Sequence, residues 1–88
     1  MEVAGKIVVV TGGANGIGKA LCERFHREGA EKVVVVDLEQ SNAEAVAASI
    51  DGDAFGVDVR DEAQIKAMVA EVEARYGRID LFLSLIHI

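Results

Sequence analysis

Eighty-eight residues, 51% of them apolar, bound this chain to one domain at most, since chains of this size bury only about 60–65% of the surface their unfolded form exposes. Fifteen acids against nine bases give a formal charge of −6, which leaves no basic patch for a nucleic acid or an anionic membrane surface. No apolar run reaches the roughly eighteen residues a spanning helix needs, and the single cysteine excludes an internal disulfide, so a reducing, cytoplasmic setting is expected.

Lys6 to Thr11 is a β-branched run of the kind that forms a parallel strand covered on both faces. Thr11-Gly12-Gly13-Ala14-Asn15-Gly16-Ile17-Gly18 follows it directly and opens a helical segment, Gly16 to Glu28, which Gly29 stops. Ile17, Leu21 and Phe25 are predicted on its buried face. A strand that feeds a glycine-rich turn and then a helix aims backbone N–H groups and the positive end of a helix dipole at one spot, where a dinucleotide pyrophosphate binds. Gly12 is expected to turn the chain off the strand, Gly16 to leave room for the pyrophosphate, and Gly18 to let helix and strand pack closely. Cys22 lies mid-helix and reads as a core thiol, not a nucleophile.

Lys32 to Asp37 is the second predicted strand, and Asp37 ends it about twenty residues beyond Gly18, where a carboxylate accepts hydrogen bonds from the adenosine ribose. That acid argues for NAD over NADP. A carboxylate about 4 Å from a 2′-phosphate meets roughly 4 kcal/mol of repulsion per charge pair at an effective dielectric of about 20. The neighbouring Leu38 and Asn15 bring no cation to offset it, and Lys19 is expected to face solvent from the first helical turn.

Ser41-x-x-Glu44 has the capping-box pattern for a helix through Ile50, with Ala43, Val46, Ala47 and Ile50 inward. Asp51-Gly52-Asp53 is a turn, and Ala54 to Val59 a third strand in which Gly56 marks a close approach of backbone or ligand. Asp61-x-x-Gln64 repeats the capping pattern for a helix through Tyr76, stopped by Gly77. Ile65, Met68, Val69, Val72 and Tyr76 form its apolar stripe, while Glu62, Glu71 and Glu73 read as a solvated face. Ile79 to about Phe82 begins a fourth strand.

This β-α-β-α-β-α-β alternation predicts an α/β fold, the first half of a Rossmann-type doubly wound parallel sheet in the order 3-2-1-4. The first two helices are expected on one face and the third on the other. The winding then reverses between strands 1 and 4, and a crevice opens at their carboxyl ends beside the glycine turn.

The spacing Thr-Gly-x-x-x-Gly-x-Gly resembles the pattern of the short-chain dehydrogenase/reductase family. Asp37 matches the ribose-binding acid of its NAD-dependent members, Asp58-Val59 matches the acidic-apolar pair that holds the adenine ring, and Gly77 to Phe82 looks like the lead-in to the family's fourth strand. The resemblance runs from about Gly5 to Phe82 and implies a cofactor-binding set of Gly12, Asn15, Gly16, Ile17, Gly18, Asp37, Leu38, Asp58 and Val59, with no metal ligand. It also implies hydride transfer between a nicotinamide ring and an alcohol or carbonyl substrate, in a whole protein that is a homo-oligomer. The family's Tyr-x-x-x-Lys pair, with its assisting Ser and Asn, has no counterpart here. Tyr76 has Asp80 where the lysine would stand, so no catalytic residue is assigned and the chain by itself is expected to be inactive. A non-catalytic NAD-binding regulatory module and a structural fragment are the rival readings, and a downstream Ser and Tyr-x-x-x-Lys would discriminate for the enzyme.

The resemblance stops where the family continues into an Asn-Ala-Gly stretch. This chain reads Leu83-Ser84-Leu85-Ile86-His87-Ile88 instead, which is also the translation of a transposon-derived sequencing adaptor. Residues 1–82 are therefore expected to be an incomplete dinucleotide-binding domain and 83–88 a read-through tail, in which His87 is neither ligand nor catalyst.

Overall fold

A computed structural model describes residues 2–84. Among the described residues seven elements alternate: β1 (Ile7–Thr11), α1 (Gly16–Arg27), β2 (Lys32–Asp37), α2 (Gln40–Ser49), β3 (Asp53–Gly56), α3 (Glu62–Tyr76) and β4 (Leu81–Ser84). The four strands pair in parallel in the order β3-β2-β1-β4, as the alternation predicts. The central strands are buried along their length, which explains why their sequences run apolar without alternating. Successive side chains still leave on opposite faces. Val8, Val10, Val33 and Val35 pack with Cys22 and Phe25 of α1 and with Ala43, Val46 and Ala47 of α2. Ile7, Val9, Val34 and Val36 pack with Met68 and Val72 of α3. Helices thus cover both faces, two on one side and one on the other.

Four local expectations shift, each for a tertiary reason. Helix α1 is rotated so that its buried stripe is Gly18, Cys22 and Phe25. Ile17, expected inward, is 68% exposed, because the close approach of Gly18 to the turn sets the rotation of the helix.

Helix α2 starts at Gln40 with Glu39 as N-cap and no side-chain capping bond, so Ser41 lies within the first turn and the Ser41–Glu44 box does not form. Gln40 is drawn into the helix start by its side chain, which reaches across to β3. Asp61 does cap α3, accepting from the N–H groups of Ala63 and Gln64.

Strand β3 ends at Gly56, three residues before the expected Val59. The Val57 N–H still reaches Asp37 O at 2.8 Å, but the Asp58 N–H donates to Gln64 Oε1 at 2.9 Å and leaves the sheet.

Strand β4 begins only at Leu81, after a clasp in which Arg78 donates to Gly5 O and Asp80 accepts from Ile7 N–H. It continues through Leu83 opposite Val10 and Ser84 opposite Thr11. The rest of the expected tail, residues 85–88 with His87, lies outside the described residues.

Candidate dinucleotide-binding site

The carboxyl ends of β1, β2 and β3 lie side by side at one edge of the sheet, and the glycine turn rises from the first of them. Three successive N–H groups of the turn point back toward β2. Those of Gly12 and Gly13 donate to Val36 O at 2.8 and 3.1 Å, and that of Ala14 donates to Asp37 Oδ2 at 3.2 Å. The next four, from Asn15, Gly16, Ile17 and Gly18, find no acceptor among the described residues. They form the opening of α1, whose N-cap Asn15 makes no side-chain capping bond, so the donors and the helix dipole together favour an anion there.

The two outer glycines of this opening do different things. A Cβ at Gly18 would lie 2.0 Å from Gly12 O, so only hydrogen lets the helix start pack on the turn. Gly16 has φ +39° and open space where a Cβ would be; it keeps the surface above the free donors bare. Gly13, to which the sequence pattern assigns no task, is equally confined: a Cβ there would meet Val35 Cγ1 at 3.0 Å and Cys22 Sγ at 3.1 Å. Burial pushes the Cys22 thiol up to about 12, with Glu23 adding to the shift. That agrees with a core thiol.

Asp37 is the buried carboxylate of the site, 6% exposed. Besides Ala14 it takes the Glu39 N–H on Oδ1 at 3.4 Å. Leu38 projects beside it, and with Val57, Asp58, Val59 and Arg60 lines a cavity of about 240 Å³. That is below the roughly 300–1,000 Å³ of clefts that hold a whole drug-sized ligand, a size suited to one ring of a larger molecule. Three residues predicted from the sequence, Leu38, Asp58 and Val59, thus meet at one cavity.

Arg60 is the residue that sequence reading missed. Its backbone N–H and its Nε donate to Asp58 Oδ1, and its Nη2 to Oδ2, all at 3.0 Å. These bonds, the guanidinium's above all, hold the Asp58 carboxyl below the usual carboxylate range. An arginine two positions after an acid was the available signal. Lys19, as expected, is exposed.

Tyr76 lies apart from this site, packed with the α3 side of the sheet. Its hydroxyl donates to Asp53, and burial followed by that hydrogen bond pushes it up to about 12. A larger groove of about 590 Å³ runs between β3 and α3, beside Phe55, Met68 and Arg75. None of the residues predicted for the cofactor lines it. Among the described residues no three His, Cys, Asp or Glu side chains gather as a metal site, and no helix is long and apolar enough to cross a membrane.

A parallel sheet in this order, a glycine turn at the first strand and an acid ending the second define a Rossmann-type unit. The family model described as short chain dehydrogenase matches residues 6–84, and the chain belongs to that family. It is 40% identical over 85 residues to D-threitol dehydrogenase of Mycolicibacterium smegmatis, covering 91% of this chain and 32% of that one. The structure of a 3-ketoacyl-(acyl-carrier-protein) reductase from Brucella melitensis, complexed with NADH, superposes with a TM-score of 0.86 at 34% identity, over 91% of this chain and 33% of that one. A structure described as ribose-5-phosphate isomerase from Brucella melitensis 16M gives 0.91 at 38% identity, over 99% and 34%. The chain therefore spans about a third of the length of the relatives it matches.

Proposed function

We propose that this chain binds the adenosine and pyrophosphate moieties of NAD, in preference to NADP, as the cofactor-binding portion of a longer oxidoreductase. The observation that carries the reading is the placement of the buried Asp37 carboxylate beside a turn that leaves the N–H groups of residues 15–18 without acceptors. The pyrophosphate would lie over Gly12, Asn15, Gly16, Ile17 and Gly18, the ribose against Asp37 and Leu38, and the adenine in the cavity with Asp58 and Val59. The residues fit this group: the donors suit an anion, Gly16 leaves them uncovered, and a carboxylate suits ribose hydroxyls but opposes a 2′-phosphate. The NADH complex of the similar Brucella reductase supports a nicotinamide dinucleotide.

Bound here, the cofactor supplies a hydride carrier. The residues named above orient it, and Tyr76 lies apart from them on the α3 side of the sheet. The whole protein is then a cytoplasmic, homo-oligomeric dehydrogenase or reductase of a small alcohol or ketone, and residues 1–88 alone have no turnover.

Calorimetric titration of the intact protein with NAD and NADP tests the reading. NAD should bind on the order of tenfold more tightly or better, about 1.4 kcal/mol, and Asp37→Ser should erode that margin by weakening NAD and admitting the phosphate. Equal affinities, or a preference unchanged by the substitution, would overturn it.

A further inference from the structure

We infer that Asp37 is also a positioning residue for the pyrophosphate: its carboxylate holds the glycine turn in shape through Ala14, before any ligand arrives. The inference rests on the functional reading above for what the turn binds, but the bracing contact is a property of the chain itself.

The turn is fastened to β2 at three consecutive N–H groups. Two of the acceptors are one backbone carbonyl, Val36 O, shared by Gly12 and Gly13. Many side chains at position 37 would leave those bonds in place. The third acceptor is a side chain, Asp37 Oδ2, and it takes the Ala14 N–H. Ala14 is the last fastened residue, because the free donors begin at Asn15. The position of that amide, together with the packing of Gly18 on Gly12, therefore sets where the next four point.

Asp37 is 6% exposed, so water cannot freely replace the carboxylate. Truncation would strand the part-buried Ala14 N–H without an acceptor, which a folded chain avoids by shifting the backbone. A carboxylate has about four acceptor positions on its two oxygens. Ala14 and Glu39 use two of them, which leaves room for ribose hydroxyls while the brace stays closed. One buried group thereby couples recognition of the ribose to the geometry of the pyrophosphate donors.

The sign of the effect separates this role from the alternatives. A carboxylate that only read the ribose would leave the affinity for a ligand lacking ribose hydroxyls unchanged when removed. A carboxylate that acted by charge alone would repel phosphate, and its removal would strengthen binding. A brace predicts weaker binding in both cases.

The experiment uses the intact protein with ADP and 2′,3′-dideoxy-ADP as probes, and wild type, Asp37→Ala and Asp37→Asn as proteins. Asparagine keeps an acceptor oxygen for Ala14 and loses the charge, turning its NH2 toward Glu39, where the bond is already long at 3.4 Å. Dideoxy-ADP should bind Asp37→Ala about tenfold more weakly than wild type and Asp37→Asn within about threefold of wild type. Dideoxy-ADP affinity that is unchanged or raised in Asp37→Ala would overturn the inference.

Amide hydrogen exchange without ligand provides a second arm. In wild type the Ala14 amide should be protected and those of Asn15 and Gly16 should not. Asp37→Ala should speed Ala14 exchange at least tenfold, and Asp37→Asn should restore it. Ala14 exchanging as fast as Asn15 in the wild-type protein would overturn the brace even if Asp37→Ala failed to fold. Failure of wild type to bind ADP would instead sink the functional reading, and the exchange arm would still decide the brace.

Discussion

Gln40 closes the outer edge of β3 against Gly56: its Oε1 accepts the Gly56 N–H at 2.6 Å, while its Nε2 donates to Ala54 O at 3.2 Å. A primary amide here makes the pair of bonds that an added strand would make. The contact needs a glycine, since a Cβ at position 56 would come 2.9 Å from Gln40 Cβ and 3.1 Å from its Cα. The close approach expected at Gly56 is therefore by this side chain. Free strand edges invite pairing with other chains, and covering them is a common defence.

Gln40→Ala should accordingly cost about 1–2 kcal/mol for two lost hydrogen bonds, one of them short, and should raise self-association. Urea denaturation and light scattering at matched concentrations check both. An unchanged urea midpoint together with unchanged scattering would show that the edge is protected by something else.

The glycine turn predicts two substitutions with opposite signatures. Gly18→Ala places a methyl group 2.0 Å from Gly12 O and should destabilise the fold by about 1–3 kcal/mol, because backbone must move to admit it. Gly16→Val meets open space, costs mainly the strain of a positive φ, on the order of 1–2 kcal/mol, and should abolish NAD binding with helical content nearly intact. Circular dichroism and calorimetry on both variants decide. A Gly16→Val protein that bound NAD at wild-type affinity would reduce the loop to a simple turn.

Asp80 makes the stability pH-dependent on the acid side. Its carboxyl is held below the usual range, first by the Ile7 N–H and then by the Arg78 guanidinium, against the opposing pull of desolvation. A carboxyl with a lowered folded pKa stabilises the fold above its unfolded value, about 3.9, and loses that contribution as pH falls through the folded pKa. The urea midpoint of wild type should thus fall more steeply below about pH 4 than that of Asp80→Asn. Parallel curves for the two proteins would remove Asp80 from the acid transition.

Cys22 should be inert in the folded protein. A thiol that is buried and raised to about 12 presents almost no thiolate near neutral pH, and the thiolate is the nucleophile. Reaction with an aromatic disulfide reagent at pH 8 should run at least about a hundredfold slower in native than in urea-unfolded protein, given an unperturbed value near 8.5. Comparable rates would mean that α1 opens readily away from the sheet.

Strand and helix types, the sheet order and the faces taken by the helices were legible in the residues because each rests on local periodicity and chain connectivity. The runs Ile7–Val10 and Val33–Val36 read as doubly covered strands, and such strands in alternation with helices admit few topologies. The glycine turn and Asp37 were legible for the same reason, since the spacing of the turn and the end of a strand are local properties. Asp61 as a cap belongs with them, its partners lying two and three residues away.

What only the tertiary structure decided involves partners far apart in the chain. Gln40 opens α2, and Ser41 loses the capping role its spacing predicts, because the Gln40 side chain bonds Ala54 and Gly56 of β3, fourteen and sixteen residues away in sequence. Ile17 turns to solvent because Gly18 must touch Gly12 across the turn, and this rotates the whole of α1. Asp37 acquires its grip on Ala14, twenty-three residues earlier, only when parallel register sets β2 beside β1. Periodicity carries the direction of a side chain relative to its own helix or strand; which atom meets it from another element depends on register and helix rotation, and those are settled by close packing of the assembled core.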